Sequence, residues 1–287
     1  LRRALRPDAG PLDLRGVTDD PLHAHYRHPR QDIVVEIPIA ACRGLRHAGL
    51  RFGPGNPLVD TIADHAAGRH AAYAGSALAR FHERWQPRSA AASMGLADPD
   101  TPPQAGEAGL AGLGPLEAVA PWWPDTGGGM PAAVAAHIRH RTAVENRESG
   151  ISGLGAEGGV IFFGPVSARK GQVEYDRLIR VWASIRDRGY LRAGDDPHGD
   201  VTGSLLLRGT AGEHAVLIGA GQHRLAALAA LGARSVPVRL LRNVSPRVVR
   251  REDVASWPHV RSGLFRREEA LALFDRILEG RPPWESP

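Results

Sequence analysis

One run limits the fold more than any other: Val-Leu-Ile-Gly-Ala-Gly-Gln-His-Arg-Leu-Ala-Ala-Leu-Ala-Ala-Leu-Gly at residues 216–232. Its aliphatic start suits a strand and its Ala/Leu remainder suits a helix. Between the two, Gly219, Ala220 and Gly221 let the backbone turn tightly and approach a ligand closely. The run Val-Pro-Val-Arg-Leu at 236–240 then reads as a returning strand, so this stretch predicts a compact α/β layer. The first amides of such a helix lack intrahelical partners and face outward with the positive end of its dipole. Arg224 adds a planar fork of donors and His223 a donor of adjustable charge, so the turn is expected to hold phosphate. An ordinary Gly-rich turn with two solvated side chains is the competing reading.

The upstream segments extend the unit. Ser-Leu-Leu-Leu-Arg at 204–208 and Ala-Val-Leu-Ile at 215–218 read as buried strands separated by the Gly-Thr-Ala-Gly turn at 209–212. Over residues 175–188 the apolar Leu178, Ile179, Trp182 and Ile185 line one helix face and arginines the other, with Gly189 suited to a left-handed cap.

The Gly-Gln-His-Arg-Leu-Ala-Ala box at 221–227, with Leu231, Gly232 and the strand at 236–240, resembles the nucleotide-binding box of the ParB/sulfiredoxin superfamily. There the partition proteins read Gly-Glu-Arg-Arg-x-x-Ala, the free-serine kinases Asp-Gly-x-His-Arg and the sulfiredoxins Gly-Cys-His-Arg. The His223-Arg224 pair is similar to the last two. Residues 163–190, ending in Ser-Ile-x-x-x-Gly, resemble the helix that leads into that box, and the likeness covers about residues 160–241.

The resemblance implies an α/β (α+β) fold with a ParB/sulfiredoxin-like nucleotide-binding domain. It also implies a nucleotide, ATP or ADP with CTP as the alternative, together with Mg2+. Its phosphates would meet Gly219, Gly221, Gln222, His223 and Arg224, and Arg169 and Lys170 from the leading segment. Transfer to a hydroxyl of a small metabolite needs a carboxylate to position or deprotonate it; Glu174 is the candidate, with His223 as its catalytic companion. Two departures bear on this. Gln222 stands where sulfiredoxins carry the reactive cysteine, which speaks against sulfinic acid reduction, and Ala220 stands where the serine kinases carry an acid. The second departure favours the alternative of a noncatalytic nucleotide sensor or scaffold. A DNA-associated NTPase ranks last, because the segment after Leu241 contains one clear helix and no basic recognition segment.

At 287 residues, 43% hydrophobic and 23% charged, the chain has an ordinary soluble balance. No run approaches the ~18 apolar residues of a membrane span, and the start Leu-Arg-Arg-Ala-Leu-Arg-Pro is no secretory leader, so a cytoplasmic location is expected. Cys42, the sole cysteine, reads as a small buried filler. The net charge of +5 is nearly all arginine, since Lys170 is the only lysine. These arginines alternate with acids, as at 186–188 and 250–253, instead of forming a stripe for a phosphate backbone, so DNA is not an expected partner. A small-molecule substrate and a nucleotide are the expected partners; a homo-oligomer is left open.

Along the chain, residues 1–30 read as a flexible tail and 31–150 as an α-rich region. That region opens with a strand at 31–40 and continues with helices at 61–67 and 74–85, the latter placing Leu78, Phe81 and Trp85 on one face. Residues 86–131 are too rich in Pro and Gly for long elements and read as an extended loop, whose Trp122 and Trp123 are expected to dock on the core. A helix at 131–147 and a joint at 150–159 precede the nucleotide-binding domain at 151–245, and 246–287 form a helical extension with an amphipathic helix at 268–278. The Gly-Asp-Asp-Pro-His-Gly-Asp run at 194–200 could offer oxygens to a hard cation but reads better as a solvated turn. No metal ligand is assigned, and no histidine has zinc-ligand spacing with cysteine.

Overall fold

A computed structural model describes residues 10–104, 106–125, 127, 129–151, 153–192, 199–209, 212–242 and 246–285. Its strands are β1 (Leu12–Asp13), β2 (Ile33–Pro38), β3 (Cys42–Gly44), β4 (Leu50–Arg51), β5 (Val201–Arg208), β6 (Glu213–Ala220), β7 (Ser235–Leu240) and β8 (Val248–Arg250). The helices are α1 (Pro21–Arg27), α2 (Pro57–Ala66), α3 (Ala77–Arg84), α4 (Ala90–Ser93), α5 (Met130–Glu148), α6 (Ala168–Arg188), α7 (Gln222–Ala230), α8 (Pro258–Arg261) and α9 (Arg267–Glu279). One mixed sheet runs β1-β2-β7-β5-β6-β3-β4, so the chain is α/β as its pattern predicts. Beside the first residues of β5 lies β7, and beside Leu205, Leu206 and Leu207 lies β8; two strands thus share one edge of β5, both parallel to it.

The sheet is buried on both faces. Leu205, Leu207, Val216 and Ile218 point into a core with Leu58, Ile62, Leu178, Trp182 and Leu225 of α2, α6 and α7. Their neighbours Leu206, Ala215 and Leu217 enter a second core with Leu273, Phe274 and Ile277 of α9. Unbroken apolar runs in β5 and β6 are what a strand needs when period-two alternation sends side chains to an apolar layer either way. Cys42 lies fully buried in the first core, and burial pushes its thiol up to about 12, a packing role.

The sheet does not respect the composition boundary near residue 150, because β2 pairs antiparallel with β7 and β3 parallel with β6. Nor are all of residues 1–30 loose. β1 pairs with β2, and Asp20 caps α1 by accepting from Leu22 N (2.8 Å) and His23 N (3.1 Å). Arg247 then holds the carbonyls of His28 and Gln31. The Pro/Gly-rich 86–131 segment folds into α4 and short 3-10 turns. Its Trp122 sits edge-on to Trp257 (5.3 Å) and Phe274 (5.8 Å), docked on the second core as its bulk suggests.

Candidate functional site at the entrance of α7

Strand β6 runs on through Gly219 and Ala220, so the expected three-residue turn contracts to Gly221. Gly221 is left-handed (φ 87°) and precedes α7 with no side-chain cap. A Cβ there would lie 2.9 Å from the Val201 side chain and 3.0 Å from its Cα, so conformation and space both select glycine. Gly219 and Ala220 are exposed, which leaves the backbone ahead of the helix open to solvent.

Helix α6 starts earlier than its apolar periodicity suggests. Ser167 caps it by accepting from Lys170 N (3.3 Å), which puts Glu174 in the second turn instead of ahead of the helix. Gly171 lies within this helix, and a Cβ there would lie 2.2 to 2.5 Å from the Tyr73 ring, so the glycine makes room for an aromatic.

From this face Lys170 and Glu174 point inward, 1% and 2% exposed in their side chains, and form an ion pair. The Lys170 ammonium also donates to Asn146 Oδ1 of α5 (2.8 Å). Arg177 lies 3.5 Å from Glu174 and 3.1 Å from Glu145. Two carboxylates therefore meet two cations, and this cluster, buried at Lys170 and Glu174 and partly exposed at Arg177 and Glu145, ties α5 to α6. The third helix enters through His223, whose Nε2 is 3.6 Å from Glu174 Oε2, beyond hydrogen-bond range. Burial lowers the His223 pKa against the opposing pull of Glu174, and its Nε2 has no hydrogen-bond partner among the described residues. Burial raises the Glu174 carboxyl, but the charges of His223, Lys170 and Arg177 outweigh that and bring it below its ordinary value. Such a carboxylate is stabilised as an anion and is a weak base.

The structure thus brings Lys170, Glu174 and His223 together. Arg224 turns the other way and donates to the Gly199 carbonyl, while Arg169 is exposed on the first turn of α6. Gln222 reaches back to accept from Leu45 N beyond the end of β3. There Leu45 (φ 52°) and Arg46 (φ 56°) are successive left-handed residues that are not glycine, a conformation costing roughly 1–2 kcal/mol each. Full burial of Leu45 and its bond to Gln222 hold that corner. Asn146, Glu145, Arg177 and Arg46 carry no motif that sets them apart in sequence. Of the 194–200 run, residues 194–198 lie outside the described residues, and Asp200 is ion-paired with Arg192 (3.2 Å) and Arg239 (3.8 Å). Among the described residues no three His, Cys, Asp or Glu side chains group as metal ligands, and no helix is long and apolar enough to cross a membrane.

Comparison of the chain with family models, with curated proteins and with solved structures returns no match.

Proposed function

We propose that the chain is a nucleotide-binding protein built on a ParB/sulfiredoxin-like domain, with the nucleotide's phosphates on the first turn of α7. One observation carries this reading: Gly221 opens a nine-residue helix without a side-chain cap, next to the exposed backbone of Gly219 and Ala220. The order α6, β5, β6, α7, β7 in one layer supports it, as does the likeness of the 221–227 box. Main-chain amides and the helix dipole supply most of the attraction, because the side chains of Gln222 and Arg224 bond to Leu45 and Gly199 and that of His223 is turned toward Glu174. A Mg2+ ion would arrive with the phosphates, which carry the hard oxygens it prefers. Calorimetric titration with ATP, ADP, CTP and adenosine in Mg2+ tests the proposal. Nucleotides are expected to bind and adenosine to fail; equal affinity for adenosine, or no nucleotide binding, refutes it. Arg224→Ala should weaken binding by less than about threefold, far below the 1.5–3 kcal/mol of a charged hydrogen bond, since its guanidinium is directed at Gly199.

A second reading, phosphoryl transfer to a small hydroxylated metabolite, is favoured by the pairing of Glu174 and His223 at the helix entrance. In it Glu174 serves as base, and opening of its bond to Lys170 precedes reaction. Nucleotide turnover stimulated by pooled sugars or amino acids and abolished in Glu174→Gln supports transfer; binding without turnover leaves the sensor reading alone.

A further inference from the structure

The Pro/Gly-rich 86–131 segment does more than cover the second core. Between it and the turn that leads into α9 lies a cavity of about 360 Å3. A closed apolar void of about 150 Å3 already holds benzene, and ligand sites begin at about 300 Å3, so this space admits a small organic molecule. Six wall positions are alanine or glycine: Ala91, Ala97, Ala108, Gly109, Ala111 and Gly263. Where chains otherwise pack to crystal density, side chains this small keep open a space that larger ones would fill. Backbone hydrogen bonds fix the walls in advance: Arg88 N donates to Pro99 O (2.9 Å), Ala90 N to Leu113 O (2.9 Å) and Gln104 N to Ala111 O (2.7 Å). The exposed Pro102, Gln104 and Ala108 stand at its mouth.

The lining is neutral and largely apolar. Its two charged residues, Arg266 and Glu269, cancel one another. The Arg266 guanidinium donates to Glu269 Oε1 through Nε (2.8 Å) and NH2 (2.6 Å), and the Arg266 main-chain N donates to Oε2 (2.8 Å). An ionic ligand would give up its water there and meet no unpaired opposite charge. Two hydroxyls complete the wall. Ser89 is 1% exposed; its Oγ accepts from Ala92 N (3.2 Å), and its own proton has no acceptor among the described residues. The Thr101 hydroxyl makes no hydrogen bond among the described residues. Each has a donor to offer to an oxygen of a ligand.

We infer that this cavity binds a small neutral molecule with an apolar body and one acceptor oxygen, of the ketone, ester or amide kind. Leu110 of its wall belongs to the core that packs on α9, whereas α7 packs on the other face of the sheet, so the site is independent of the nucleotide reading.

Titration of the full chain with acetophenone, benzene, benzoate and benzylammonium, followed by ligand-observed NMR and calorimetry, tests this. Acetophenone is expected to saturate below about 10 mM, the two ions to bind at least about tenfold more weakly, and benzene, which lacks the oxygen, about fivefold more weakly. Ala97→Leu combined with Ala108→Leu fills the space and should weaken acetophenone about tenfold or more. If that double variant does not fold, Ala108→Leu alone, at an exposed position, makes the same test. Equal binding of benzene or of either ion, no saturation by about 10 mM, or unchanged affinity in a folded filled variant overturns the inference.

Discussion

Replacing Lys170 by Met probes the buried cluster most directly. The substitution roughly conserves volume and removes one charge from a side chain that is 1% exposed. Glu174 then loses its nearest cation, and Asn146 Oδ1 loses its donor at 2.8 Å. What remains for Glu174 is Arg177 at 3.5 Å and the His223 imidazole at 3.6 Å, whose protonated form burial disfavours. Breaking a buried ion pair from one side costs about 3–5 kcal/mol; the surviving Arg177 contact puts this case near 3 kcal/mol. In a chain of this size that lowers Tm by about 6 °C. Removing both partners in Lys170→Met with Glu174→Met leaves Arg177 to Glu145 at 3.1 Å, and stability should return to within about 1 kcal/mol of the parent. Urea unfolding followed by circular dichroism of the parent, both single variants and the double variant closes the cycle. A loss below about 1 kcal/mol for Lys170→Met, or a double variant as unstable as the sum of the singles, would refute the charge-balance account.

Stability should also fall with acid. Burial holds the imidazoles of His47 and His82 neutral, His82 down to about 4, so below about 6.5 the unfolded chain takes up protons first. At pH 5 each should remove about 2 kcal/mol; urea midpoints equal at pH 7.5 and pH 5 would contradict this. Gly221→Ala places a methyl against Val201 at a φ of 87°, and a loss of about 2 kcal/mol or more is expected in the same unfolding assay. A neutral result there would mean that α7 can begin in another conformation.

Local chemistry made part of this molecule legible. The apolar runs of β5 and β6 and the Gly-to-helix step at Gly221 are short-range patterns, and the two-layered burial follows from strand periodicity. What escaped is non-local. Two-residue β1 and three-residue β3 exist because other strands accept them, and no periodicity marks so short a segment. Glycine was ambiguous for a physical reason: Gly219 continues a strand, Gly221 ends one, and Gly171 sits inside a helix under an aromatic ring. In the candidate site, Lys170 and Glu174 share a face through their i,i+4 spacing only because α6 begins at Ala168, ahead of the apolar periodicity that starts at Tyr175. The directions of Gln222 and Arg224 were not readable, because each side chain follows a partner, Leu45 or Gly199, that is distant in sequence.

The attachment of α9 has its own consequence. Its final turn is gripped by Arg43, reaching over from β3 to the carbonyls of Ile277 and Leu278. A guanidinium on neutral oxygens offers salt no opposing ion to screen, so this seam should hold at ionic strengths that loosen the surface pairs. Shortening the chain from its carboxyl end past that turn would take two carbonyls from Arg43 and Ile277 and Leu278 from the second core, so such a truncation is expected to be less stable than the parent.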